Sequence, residues 1–194
     1  MDRLAAAGLV SAAILVHFAV GPQSPVDAHA QEQGVHTFLR SVAEYETLRQ
    51  RVFESLRPLA VTNDMDEIRS GVDARAAALR RARADARRGD MFNGPVGDLF
   101  RSQIREAFAA ANDDPARLVA EMSEDGHTWR RAEVNGHFSW KTACATPVSV
   151  LGVLPPLPDF LQYRFVGVDL VLVDIDASYI VDVLPDAVEM RVSQ

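Results

Sequence analysis

Apolar residues return along this chain in two successive rhythms. Over residues 31–124 they recur at three- and four-residue spacing, the period of amphipathic helices. Over 125–194, β-branched and aromatic residues form short runs broken by Pro and Gly. Helices followed by strands predict an α+β fold, in which three to four N-terminal antiparallel helices pack on a small C-terminal antiparallel sheet.

The spacing predicts a first helix over 36–56, with Phe38, Val42, Tyr45, Val52 and Leu56 on one face. Arg49 falls in the middle of that face. A charge there either snorkels outward or finds a carboxylate, and a buried partner would make Arg49 a site candidate. A second helix is expected from an Asn63 or Asp64 N-cap to Arg88, stopped by Gly89, with Ile68, Val72, Leu79, Ala82 and Ala86 inward. Arg69, Arg80, Arg83 and Arg87 share an adjacent face of it. They form either an anion or lipid-headgroup site or a solvated face pairing with acids such as Asp73. A third helix opens near Pro95 and turns Val96, Phe100, Ile104, Ala107 and Ala111 inward. A shorter one over 114–124 is capped by Asp114.

In the β-rich part, Asn135-Gly136 predicts a hairpin over 129–140. The proline-rich stretch 147–158 is unsuited to a central strand. Strands are expected over 162–166, 169–175 and 179–184, the last two joined by Ala177-Ser178. In that register Asp182 faces the side of Val173, Ile175 and Ile180.

Residues 4–20 (LAAAGLVSAAILVHFAV) form a nearly unbroken apolar run, followed by Gly21-Pro22 and then Ala28-His29-Ala30. Small residues at both recognition positions predict export with cleavage after Ala30, so that 1–30 is a signal peptide and 31–194 a single domain. The competing reading is an uncleaved anchor, since 4–20 is at the short end of a membrane span and Asp2 offsets Arg3. After cleavage no membrane-spanning segment is expected, and the product would be periplasmic or secreted.

Residues 31–194 are six charges negative, which argues against nucleic acid as a partner. Cys144 is the one cysteine, so stability has to come from packing. It is either buried as a small hydrophobe or pairs two chains.

The segments ARADARRGDMF (82–92), VNG (134–136) and LPPLPDFLQYRFVGVDLVLVDIDASYIVDVLP (154–185) resemble an uncharacterised family of exported bacterial proteins. The resemblance implies an envelope location and brings no activity, cofactor or catalytic residue. YRFVGVDLVLVDI also resembles C-terminal hairpins of small periplasmic proteins, some tied to nickel and cobalt handling.

Chemistry-bearing patterns are sparse. Candidate metal ligands are His127, His137, Asp174 and Asp176, although their spacing matches no compact ligand motif. Asp174 and Asp176 lie two apart and either share a cation or close a strand and open a turn. Asp169, Asp174 and Asp182 are acids set in apolar strands, and Asp182 is either hydrogen-bonded structure or a hidden site. The hydrolase elbow, the SxxK pair and a nucleotide loop do not occur, and no cofactor is expected. The connector 154–160 and the sheet edge either take up a partner strand or cap that edge. The leading expectation is a non-enzymatic module binding an unknown protein or small ligand in the cell envelope. A metal- or stress-related accessory protein is second and a hydrolase third.

Overall fold

Helix α1, Pro25–Glu54, is built on one apolar stripe: Phe38, Val42 and Tyr45 are buried, and Leu48 and Val52 pack partly against the same core. The computed structural model describes residues 25–58, 61–117, 120 and 130–189. The helix starts at Pro25, well before the expected His36, and therefore runs through Ala28-His29-Ala30. Cleavage after Ala30 would leave it beginning at Gln31. Its early turns are held close to a neighbouring helix: a Cβ on Gly34 would meet Leu99 Cδ2 at 2.9 Å.

Helix α2, Met65–Ala82, starts at the expected cap, where the Asp64 carboxylate accepts the Asp66 and Glu67 N–H groups. It ends at Ala82 instead of continuing to Arg88, because other partners claim the chain beyond it. The Ala86 N–H turns back to the Arg83 carbonyl, and the Gly89, Met91 and Phe92 N–H groups go to Asp182. Its buried residues are Ala76, Ala78 and Leu79, whereas Ile68 is exposed. Helix α3, Gly94–Ala111, follows most of the expected pattern: Asn93 caps it and Val96, Phe100, Ile104 and Ala107 are buried, but Ala111, expected inward, is exposed on the last turn. The short helix expected over 114–124 lies largely outside the described residues. A one-turn helix α4, Val148–Leu151, interrupts the proline-rich stretch.

Strands β1 (Cys144–Ala145), β2 (Leu161–Val166), β3 (Asp169–Asp174) and β4 (Tyr179–Leu184) form an antiparallel sheet in the order β1-β2-β3-β4. The fold is α+β, with helices N-terminal to the sheet. Phe38, Phe92, Phe100 and Tyr163 join helices and sheet through ring contacts of 4.9 to 6.3 Å between centroids. The opposite sheet face buries Val171, Val173, Ile180 and Val183 beneath Ala132 and Phe138.

Two departures reposition acidic residues of the sheet. Leu172 pairs with Asp182 but Val173 pairs with Ile180, so Val181 is an extra residue in β4. This bulge turns Asp182 away from Val173 and Ile180, correcting the side expected from strict alternation. The β3–β4 loop is also longer than expected: Asp174↔Tyr179 is the last pair, leaving Ile175-Asp176-Ala177-Ser178 between the strands.

Asn135-Gly136 forms a turn but not the expected hairpin. Asn135 adopts φ 66, Gly136 N–H returns to the Glu133 carbonyl, and the chain then pairs with the open edge of β4. The contacts are Asn135 N to Ile180 O at 2.9 Å, Ile180 N to Gly136 O at 3.0 Å and Phe138 N to Ser178 O at 2.8 Å. An exposed strand edge offers unsatisfied donors and acceptors, and this segment covers them.

Candidate functional site

Tyr45, Arg49 and Phe53 stand on successive turns of α1 and face the end of β3. Asp174, the last residue of β3, lies on the helix-facing side together with Leu170 and Leu172. The Tyr45 hydroxyl donates to Asp174 Oδ2 at 2.8 Å, and Arg49 Nε donates to the same oxygen at 2.7 Å. Asp174 Oδ1 accepts the Asp176 N–H at 3.2 Å, and Arg49 Nη2 donates to the Asp176 carboxylate. The guanidinium also lies 4.4 Å from the Phe53 ring centroid and 4.1 Å from that of Phe160.

Arg49 therefore neither snorkels nor stands alone. Its side chain is 14% exposed, and its partner Asp174 is fully buried. Burial pushes the Asp174 carboxyl above its ordinary value, and the Arg49 charge and the Arg49 and Tyr45 hydrogen bonds pull it back only in part. Burial, followed by the Asp174 charge, pushes the Tyr45 hydroxyl well above its usual value, which keeps it a donor. Both Asp174 oxygens are committed to donors of the fold. A cation there would have to displace Arg49.

Beside this cluster lies an open cleft of about 480 Å³ lined by Glu46, Arg49, Phe53, Glu54, Leu56 and Phe160, among others. One wall is a face of α1. The other is the turn that follows it, together with Phe160, the residue just before β2. These half-buried aromatic and apolar side chains meet solvent between exposed carboxylates.

The remaining candidates do not converge on the cleft. Arg80 Nε donates to the Asn135 carbonyl at 2.9 Å, and Arg83 Nη1 donates to Val181 O at 2.9 Å and the Tyr179 hydroxyl at 3.2 Å. Asn135 Nδ2 donates back to the Arg83 carbonyl at 2.7 Å, and the Tyr179 hydroxyl donates to Asn135 Oδ1. Arg87 is exposed, and Arg69 pairs with Asp66. Arg80 and Arg83 therefore bind the end of α2 to the sheet and the Asn135 turn, instead of presenting an anion site.

Asp182 is fully buried and accepts four backbone N–H groups: Gly89 and Val183 at Oδ1, Met91 and Phe92 at Oδ2, all at 2.7–2.9 Å. Burial raises its carboxyl above the ordinary value, and these hydrogen bonds oppose the shift. It is hydrogen-bonded structure that fixes the α2–α3 connection. Asp169 is also fully buried, accepting the Asp186 N–H at 3.0 Å, with Arg131 3.9 Å away. His137 is exposed beside β4, and His127 lies outside the described residues. Among the described residues, no three His, Cys, Asp or Glu side chains come together as a metal site. Cys144 is buried in the helix-side core.

At the other end of the sheet, β1 pairs only with Phe165 and Arg164 of β2. Thr146 Oγ1 caps Tyr163 O at 2.8 Å, and Val148, Leu151 and Val153 stand exposed nearby. Among the described residues, no helix is long and apolar enough to cross a membrane.

Comparison with known proteins adds no relative. No family model, curated protein or solved structure matches the chain. The site therefore rests on its geometry.

Arg49 and the Asp174–Asp176 pair were each legible in the sequence; their union, with Phe53 and Phe160 around it, was not. A signal was present: Tyr45, Arg49 and Phe53 recur every four residues, placing a cation between two aromatics on one helical face.

Proposed function

We propose that this chain is an exported envelope protein, periplasmic or secreted, that acts as a binding module with its ligand-facing surface at the cleft beside Arg49. The observation that carries the reading is Arg49 itself, held by Asp174 and Asp176 and packed against Phe53 and Phe160 at the cleft wall. A charge kept at a partly buried position is costly unless it is paired, and here four side chains are arranged to keep it. That makes the aromatic wall rigid before any ligand arrives, which lowers the cost of binding. Export is supported by the apolar run at 4–20 and the small residues at Ala28 and Ala30. Two of the acids embedded in the strands, Asp174 and Asp182, support a binding role over a hydrolytic one. Asp174 and Asp182 direct their lone pairs to donors of the fold, not to the cleft.

The test is a fragment titration of protein purified from the host envelope, followed by amide chemical shifts, with Phe160→Ala as the comparison. The expected result is ligands that move signals along Gln50 to Glu54 and lose affinity in the variant. Ligands that cluster elsewhere, or stoichiometric metal in the purified protein that is lost on changing Asp174, would overturn the reading.

A further inference from the structure

The cleft beside Arg49 carries a chemical preference. Its aromatic wall already holds guanidinium groups: Arg49 lies 4.1 Å from Phe160 and 4.4 Å from Phe53, and Arg75 lies 4.8 Å from Phe53. Of the charged residues that line the cleft, Glu46 and Glu54 outnumber Arg49, and Arg49 is already shared by Asp174 and Asp176. Glu46 and Glu54 are exposed and form no ion pair among the described residues; Glu54 accepts only the Gln50 side-chain amide at 3.0 Å. They lie eight positions apart on α1, two turns along one face, with Arg49 and Phe53 between them. Leu56 and Phe160 supply half-buried apolar surface for the body of a ligand.

We propose that the cleft binds an organic cation with an apolar stem, a guanidinium or alkylammonium group such as a basic side chain carries. This rests on the reading of the cleft as the binding surface and names the class of ligand it takes. The cation would pair with the Glu54 carboxylate, its stem against Leu56 and Phe160, and Glu46, about 12 Å away along the helix axis, would add longer-range attraction. An anion would meet the same carboxylates as repulsion. A neutral ligand of equal shape would gain the apolar contact but not the ion pairing.

The experiment titrates the purified protein with butylguanidinium, with its neutral isostere butylurea and with pentanoate, following backbone amide signals in physiological salt. Butylguanidinium is expected to shift signals from Gln50 to Glu54 and at Phe160, and butylurea to bind about tenfold more weakly or worse. The Glu46→Gln/Glu54→Gln variant is expected to lose the butylguanidinium response by a similar factor while its far-UV circular dichroism is unchanged, both side chains being exposed. Equal binding of butylurea, or tighter binding of pentanoate, at these same residues would overturn the cationic preference and leave the cleft as the binding surface. A response scattered over the protein, or none from any probe, would overturn both.

Discussion

Arg49 and Asp174 lie 2.7 Å apart although 125 residues of chain separate them, and each makes the other tolerable where it sits. Without Asp174, Arg49 would be a cation wedged among aromatic rings. Without Arg49, Asp174 would be a fully buried carboxylate with the Tyr45 hydroxyl and one backbone N–H for company.

Replacing Arg49 by Met should therefore cost about 3 kcal/mol, the low end for breaking a buried pair, since Arg49 keeps some contact with water. Asp176→Asn should cost less than about 1 kcal/mol, because that carboxylate is 46% exposed and its pairing is screened. Urea unfolding midpoints measure both. Equal losses would show that the two pairings do not differ as their burial implies.

The pH dependence of Asp174 has a definite sign. Its carboxyl lies above the ordinary 3.8 in the folded protein, chiefly through burial, so the folded state holds a proton that the unfolded chain releases. Its contribution to stability is largest below 3.8 and falls as pH rises through the folded midpoint. Relative to Asp174→Asn, which does not titrate, the natural protein should lose stability across that window. Because Arg49 lowers the carboxyl, Arg49→Met should move its titration, followed by side-chain carbon NMR, further upward.

Asp182→Asn should be costly despite its matching shape, by about 3 kcal/mol. Each carboxylate oxygen accepts two backbone N–H groups, whereas an amide would turn an NH₂ toward two of those donors. Hydrogen exchange should quicken first over residues 89–92, the loop these bonds hold. Loss spread evenly over the sheet would contradict that role.

Asn135 combines two separable functions. Asn135→Gly keeps the left-handed backbone at φ 66 but loses the side-chain bonds to Tyr179 and Arg83, for about 1–2 kcal/mol. Asn135→Ala adds a backbone penalty of about 1 kcal/mol. Thermal unfolding should rank the natural protein, the Gly variant and the Ala variant in that order.

Much of the fold was legible because it was written locally. The α3 stripe emerged at Val96, Phe100, Ile104 and Ala107, though not at Ala111; the cap is Asp64, one of the two residues read for it, and β4 keeps its limits at Tyr179 and Leu184. Where reading failed, a distant partner had taken over. Gly89 is well suited to stop a helix, yet α2 stops earlier, and the Gly89 N–H goes to an acid 93 residues away. Asn135-Gly136 has the residues of a tight hairpin, yet the segment turns to the bare edge of β4. The candidate site shows the same division: Arg49, Asp174 and Asp176 stood out as charges in apolar settings, while the ring of Phe160, reached through a proline-rich connector, gave no sign of its place.

Periodicity and capping residues were enough to set the class of the fold, the order of its elements and the list of charges that burial would make expensive. These follow from interactions spanning a few residues, which leave their spacing in the chain. One extra residue in β4, the pairing of Arg49 with Asp174 and the side on which Asp182 finds its four donors depended on how the elements packed. A hydrogen bond between groups a hundred residues apart has the same chemistry as a local one but imposes no spacing on the chain.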